Sequence, residues 1–252
     1  LNLMSARNWD EIVEMVAKAA AKARPGEWIR GRGWHQEKWD KKPQPSVEGF
    51  PTHQSLSRVS PNNPVVLTHA SGHATIANAK AMELSGITAA TANPLGGEVP
   101  KDSTGQPIGV FRETASGLLG RAERGARDKM TPQERDAEAR RVVQLAAEEC
   151  LSKGVTTFHD AGEPFSTIDL FKQMAQEGKL GIRLYVMVRE SNARLVENLP
   201  KYKTIGFADN HVTLRTIKVT IDGALGTRGA WLLEPYADLA GHTGLNTTPV
   251  DS

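Results

Sequence analysis

The stretch "VTTFHDAGEPFSTIDLFKQMAQEGKLGIRLYVMV", residues 155–188, sets the fold class. Residues 155–162, rich in Val and Thr, read as a strand, residues 164–178 as a helix and residues 182–188 as a second strand. The rhythm continues with a helix over "SNARLVENLP" (191–200) and a strand over "HVTLRTIKVTIDG" (211–223). Strands that alternate with helices and are rich in Val, Ile and Thr predict parallel βαβ units. Such sheets receive ligands beyond the C-terminal ends of their strands. Those ends are "HDAG", "VMVRE" and "TIDGALGTR", and two of the three set ionisable groups beside glycine.

Upstream, "NWDEIVEMVAKAAAKA" (8–23) spaces Trp9, Ile12, Val13, Val16 and Ala17 as one face of an amphipathic helix. Pro25 and Gly26 stop it. "EWIRGRGW" (27–34) predicts a short strand, followed by a polar, Pro-rich loop over 40–51. "PVVLTHA" (64–70) reads as a buried strand, "ATIANAKAMELSG" (74–86) as a helix ending at Gly86, and residues 88–108 as a long connection. "VFRETASGLLGRA" (110–122) reads as helical. Thr131, Pro132 and Glu134 form a capping box for the next helix, which Gly154 closes. Residues 1–150 therefore hold early strand and helix elements with an inserted helical and loop region. Residues 151–252 hold a βαβαβ portion that ends after the Asp-Gly motif.

Lys and Arg total 31 against 29 Asp and Glu, a formal charge of +2. That balance gives no reason to expect a nucleic acid or an anionic membrane as partner. No apolar run approaches the roughly 20 residues of a membrane span, and no signal-peptide pattern opens the chain. The single cysteine, Cys150, falls in a helical pattern and fits a buried small hydrophobe in a reducing, cytoplasmic setting.

Several residues invite chemistry. His159 and Asp160 close a strand, either as a metal ligand or acid/base pair, or as a backbone-bonded histidine with an aspartate capping the next helix. His69 and His73 are four apart, but Ser71-Gly72 interrupts the run, so a helix-face metal pair is disfavoured. In "IKVTIDGALGTR" (217–228), Ile217, Val219 and Ile221 alternate with Lys218, Thr220 and Asp222. If the apolar set packs on outer helices, Lys218 points to the opposite, inner face, where an unpaired ammonium is costly. Such a lysine pairs with a carboxylate such as Asp222, or serves as a base, a Schiff-base amine or, after reaction with CO₂, a carboxylated metal ligand. Arg228 follows glycines that permit close backbone approach, and it serves as an anion clamp or an ordinary surface arginine. Trp28, Trp34 and Trp39 fit core packing better than a ligand pocket.

Five motifs occur in order: "WIRGRGWHQEKW" (28–39), "PVVLTHASGHATIANAKAM" (64–82), "GQPIGVFRETA" (105–115), "GVTTFHDAG" (154–162) and "IKVTIDGALGTRGAWLLEPYAD" (217–238). Together they resemble the amidohydrolase family 3 branch of the metal-dependent amidohydrolase superfamily, which includes N-substituted formamide deformylase-like proteins. The resemblance implies a (β/α)8 TIM-type barrel and hydrolysis of amide C–N bonds by a metal-activated hydroxide, with one or two ions, zinc foremost. It implies that Lys218 is a carboxylated metal ligand and that His73, Arg228 and Glu113 contact substrate. Two departures stand out. No His-x-His pair occurs in the chain, and His35 stands where the family carries an acidic residue after "GxGW".

The expectation is therefore an α/β chain forming a partial barrel with parallel strands, an internal segment of a longer enzyme. It would act on a small-molecule amide, with His159 and Asp160 at the catalytic centre. Its open barrel edge would favour homo-oligomers. Two other readings stand beside it: a non-catalytic, oligomerising partial barrel, and a metal-free enzyme with Lys218 as Schiff-base amine.

Overall fold

The computed structural model describes residues 1–128 and 130–249. The chain is α/β, with parallel strands in mixed sheets, and it divides into two compact units: Leu1–Ala126 with Thr220–Ser252, and Arg127–Val219. The expected division at residue 150 falls inside a helix, Pro132–Ser152. No helix among the described residues is long and apolar enough to cross a membrane.

The first unit opens with α1 (Trp9–Ala20), capped by the Asn8 side chain, which accepts the Glu11 amide. Its Trp9, Ile12 and Val16 are buried, as the spacing predicts. Next come β1 (Ile29–Trp34), a short hairpin of β2 (Ser46–Val47) and β3 (Phe50–Pro51), and α2 (Gln54–Val59). They are followed by β4 (Val65–His69), β5 (Ala74–Ala77), α3 (Ala79–Leu84), β6 (Gly97–Glu98), β7 (Val110–Glu113) and α4 (Gly120–Arg127). The five-stranded sheet runs β1-β4-β5-β7-β6, with β1 and β4 parallel and the remaining pairs antiparallel. Trp34 is fully buried in the core beneath α1, and Trp39 packs on it, so these tryptophans serve the core.

Two helical readings are corrected here. Residues 74–77 form β5, because pairing with β4 on one side and β7 on the other outweighs alanine's helix preference. The helix starts only after Asn78. The Asn78 Oδ1 accepts from the amides of Val65 and Ala81, and its Nδ2 donates to Ser60 and Asn63 carbonyls. Residues 110–113 likewise form β7, with a 3-10 turn over Thr114–Leu118 before α4.

The second unit contains α5 (Pro132–Ser152), β8 (Thr157–Glu163), α6 (Phe165–Gln176), β9 (Arg183–Val188), α7 (Asn192–Tyr202), β10 (Thr204–Gly206) and β11 (Val212–Ile217). Both bonds of the Thr131–Glu134 capping box are formed. The sheet order is β10-β11-β9-β8, and β8, β9 and β11 are mutually parallel. Phe165, Ile168, Phe171 and Met174 of α6 cover one face through Leu184, Val186, Val188, Val212 and Leu214.

β11 ends at Ile217, short of the strand expected through Asp222. Ile217 and Val219 are 43% and 60% exposed, and Ile221 is exposed as well. The apolar set of that motif does not pack under helices, so its alternation is not evidence of a covered strand.

Candidate functional site

In the first unit, chemistry gathers where β5 meets β7. His73 directly precedes β5 and Glu113 is the last residue of β7, so the antiparallel pairing sets them side by side. The Glu113 amide donates to the His73 carbonyl at 2.9 Å, and His73 Nδ1 lies 2.7 Å from Glu113 Oε2. The Glu113 side chain is 3% exposed, whereas the His73 ring is about a third exposed. Burial pushes the Glu113 carboxyl up, against the pull of His73. Its backbone adopts φ +49°, a left-handed conformation that a glutamate rarely takes.

The loop over 222–230 wraps this carboxylate, which explains its glycines. A Cβ at Gly223 or at Gly229 would overlap the Glu113 carboxylate oxygens. The loop closes on itself through Gly223 N to Gly229 O and Gly229 N to Ala224 O, both 3.0 Å. Asp222 accepts the Trp231 amide at 3.0 Å. Arg228 is buried at φ +57°. It donates from Nε and Nη2 to Asp238 and from Nη1 to the Glu48 carbonyl at 2.9 Å, and its guanidinium lies over Phe50. Arg112 of β7, fully buried, pairs with Glu48 of the β2–β3 hairpin and with Glu98 of β6.

Beside the dyad, His69 ends β4 and is fully buried. Its Nδ1 lies 2.8 Å from the Ser71 hydroxyl and 3.1 Å from the Ser71 amide, while Nε2 has no partner among the described residues. Burial, with the neighbouring His35, His73, Arg32 and Lys38, lowers its pKa to about 4. His69 and His73 lie on a strand end and a strand start, joined by a turn, so they do not share a helix face. His35, tilted against His69 with ring centres 4.7 Å apart, and Gln36, which donates to the Gly226 carbonyl, complete this layer.

In the second unit, His159 and Asp160 fall within β8, and Lys218 comes directly after β11. His159 stacks on Tyr185 at 5.0 Å, and the Tyr185 hydroxyl meets Thr216 at 2.8 Å, so one sheet face carries all three. Nothing in the sequence around Tyr185 singles it out. Only the parallel register of β8 on β9, which sets His159 opposite Tyr185, reveals it. Asp160 accepts the Gly162 amide and does not cap α6, whose N-cap is Pro164. Burial raises the carboxyls of Asp160 and Glu163, the latter also because Asp160 is near. Gly162, at φ +133°, leaves room for Lys218 and Arg189, whose side chains would meet a Cβ there at 3.1 and 3.2 Å. Lys218 joins no ion pair among the described residues, with Asp222 or otherwise.

The family model for the amidohydrolase family matches residues 1–251. This chain belongs to the amidohydrolase family. It is 33% identical over 178 residues to the N-substituted formamide deformylase of Arthrobacter pascens, covering 69% of this chain and 30% of that protein. It is 26% identical over 251 residues to Protein LONG AFTER FAR-RED 3 of Arabidopsis thaliana, covering 94% of this chain and 40% of that protein. The fold is similar to that of a metal-dependent hydrolase from Pyrococcus horikoshii OT3, with TM-score 0.55 and 23% identity over 98% of this chain and 44% of that one. The amidohydrolase chain thus spans at most about two fifths of the length of these two curated relatives.

The name of that solved structure raises the question of a metal. Among the described residues, no three His, Cys, Asp or Glu side chains converge on one point. As placed, these donors do not complete a metal centre, because a cation that activates water needs several preorganised ligands.

Proposed function

We propose that this chain is part of a hydrolase that cuts the C–N bond of a small-molecule amide with the help of a divalent metal, zinc in our reading. The observation that carries the proposal is the amidohydrolase match along residues 1–251. A partial (β/α)8 barrel belongs to the same reading, supported by the parallel β8, β9 and β11 with helices between them. In the second unit we assign His159 and Asp160 to the catalytic centre and Lys218, in carboxylated form, to one metal position. The remaining ligands would come from outside the described residues. In the first unit we assign His73, Glu113 and Arg228 to substrate binding. A cytoplasmic setting and self-association along β8 complete the proposal. They are supported by the one free cysteine and by the unpaired side of an edge strand.

The test pairs this chain with a version extended at both ends by the corresponding segments of a relative. Each is assayed for bound metal and for hydrolysis of N-substituted formamides and other small amides. Metal and hydrolysis in the extended protein are the expected result. Their absence from both overturns the proposal. Borohydride trapping of substrate on Lys218 in a metal-free protein would favour a Schiff-base enzyme.

A further inference from the structure

We propose that His73 moves a proton through its Nε2 and that Glu113 is its positioning residue. This rests on the hydrolytic reading above and gives the pair a specific task within it. The Glu113 carboxylate, when ionised, only accepts hydrogen bonds. With Oε2 at 2.7 Å from His73 Nδ1, the proton belongs on Nδ1, and the Nε2 lone pair is left free. The His73 backbone is held on both sides: its amide donates to Ser71 Oγ at 3.1 Å, and its carbonyl accepts the Glu113 amide.

Glu113 has no freedom to turn away. The glycine positions of the 222–230 loop enclose it, and the Ala224 amide and Thr227 hydroxyl of that loop face the carboxylate. Its second oxygen holds an imidazole whose opposite edge stays accessible. A buried carboxylate that orients a histidine in this way also stabilises the imidazolium formed when Nε2 takes a proton.

In the balanced step, the oxygen of water bonds to the amide carbonyl carbon, and one water proton passes to Nε2. The C–N bond then breaks, its electron pair remains on nitrogen, and that nitrogen takes the proton back from Nε2. The products are a carboxylic acid and an amine, and the imidazole is restored. Glu113 neither gains nor loses a proton in this step.

The test reads the tautomer directly by long-range ¹H–¹⁵N NMR on the histidine-labelled chain at neutral pH. The Nδ1–H form of His73 is expected in about tenfold excess or more, the size of one charge-assisted hydrogen bond. Glu113→Ala is expected to return His73 to the Nε2–H form that free imidazole prefers, with the His69 and His211 signals serving as a check on folding. Glu113→Asp, which keeps a carboxylate, is expected to restore part of the Nδ1–H population. A predominant Nε2–H form in the unaltered chain overturns the proposal even if Glu113→Ala does not fold. So does a tautomer that Glu113→Ala leaves unchanged in a folded chain. No hydrolysis enters this readout. Loss of the amide-cutting reading would leave the tautomer as found, and the two failures are distinguishable.

Discussion

His69 shows how one buried ring makes stability depend on pH. Its ring is fully buried beside His35, His73, Arg32 and Lys38, so a charge on it is disfavoured first by burial and then by its cationic neighbours. The folded chain holds its pKa near 4, against an ordinary 6.5. Between those values the unfolded chain binds the proton and the folded chain does not. Stability from this group is therefore complete above pH 6.5 and is lost as the pH falls to about 4, by about 3 kcal/mol in all. Glu113 acts in the opposite sense, because a raised carboxyl favours the folded chain as pH falls. Urea unfolding of the chain and of His69→Gln at pH 7, 6, 5 and 4 checks this. Whatever the substitution costs at pH 7, the gap between the two should narrow by about 3 kcal/mol towards pH 4. A constant gap would contradict it. The sequence showed that His69 and His73 were worth attention. It did not show what surrounds them, because the Ser71 turn and the partner Glu113, forty positions away, are matters of strand pairing.

Elements whose ends are fixed by local chemistry were readable from their residues. The α5 capping box is one. Thr131 Oγ1 accepts the Glu134 amide at 3.2 Å, and Glu134 returns a bond to the Thr131 amide at 2.7 Å. Thr131→Ala should cost about 1 kcal/mol, read as a lower urea midpoint with an unchanged slope; no shift would mean that the cap contributes nothing. The parallel β8-α6-β9-α7-β11 run was readable for the same reason, since each helix has the spacing that covers one sheet face. β5 was not. Ala74–Ala77 has the composition of a helix, and only neighbours on both sides make it a strand. Asn78 was the available signal, a side chain that caps α3 rather than extending a helix back through Ala74–Ala77. β11 failed in the other direction: the period-2 pattern runs through Asp222, but pairing stops at Ile217, where β9 ends opposite it. Alternation shows that a segment is able to form a strand, and a partner decides whether it does.

For the molecule as a whole, the division into two units is carried by the cores. The cluster around Trp9, Ile12, Val16, Trp34, Leu67 and Ile76 draws only on the first unit. The cluster around Phe165, Ile168, Met174, Val186, Val212 and Leu214 draws only on Arg127–Val219. The first boundary falls in a charge-rich stretch, residues 121–141, but nothing in the sequence shows that the first unit takes up the chain again at Thr220 after an excursion. Ile12 and Ile168 are both fully buried. Truncating either to alanine removes the same number of methyl and methylene groups and should cost about 2–5 kcal/mol. The consequences should differ in place. Hydrogen exchange followed by mass spectrometry should show Ile12→Ala speeding exchange in β1, β4 and β5, and Ile168→Ala speeding it in β8, β9 and β11. Each variant should leave the other unit's strands within about twofold of the unaltered chain, as expected for sites without shared partners. If either substitution loosened both sheets alike, the two clusters would be one cooperative core, and the division at Ala126 and Thr220 would have no energetic meaning.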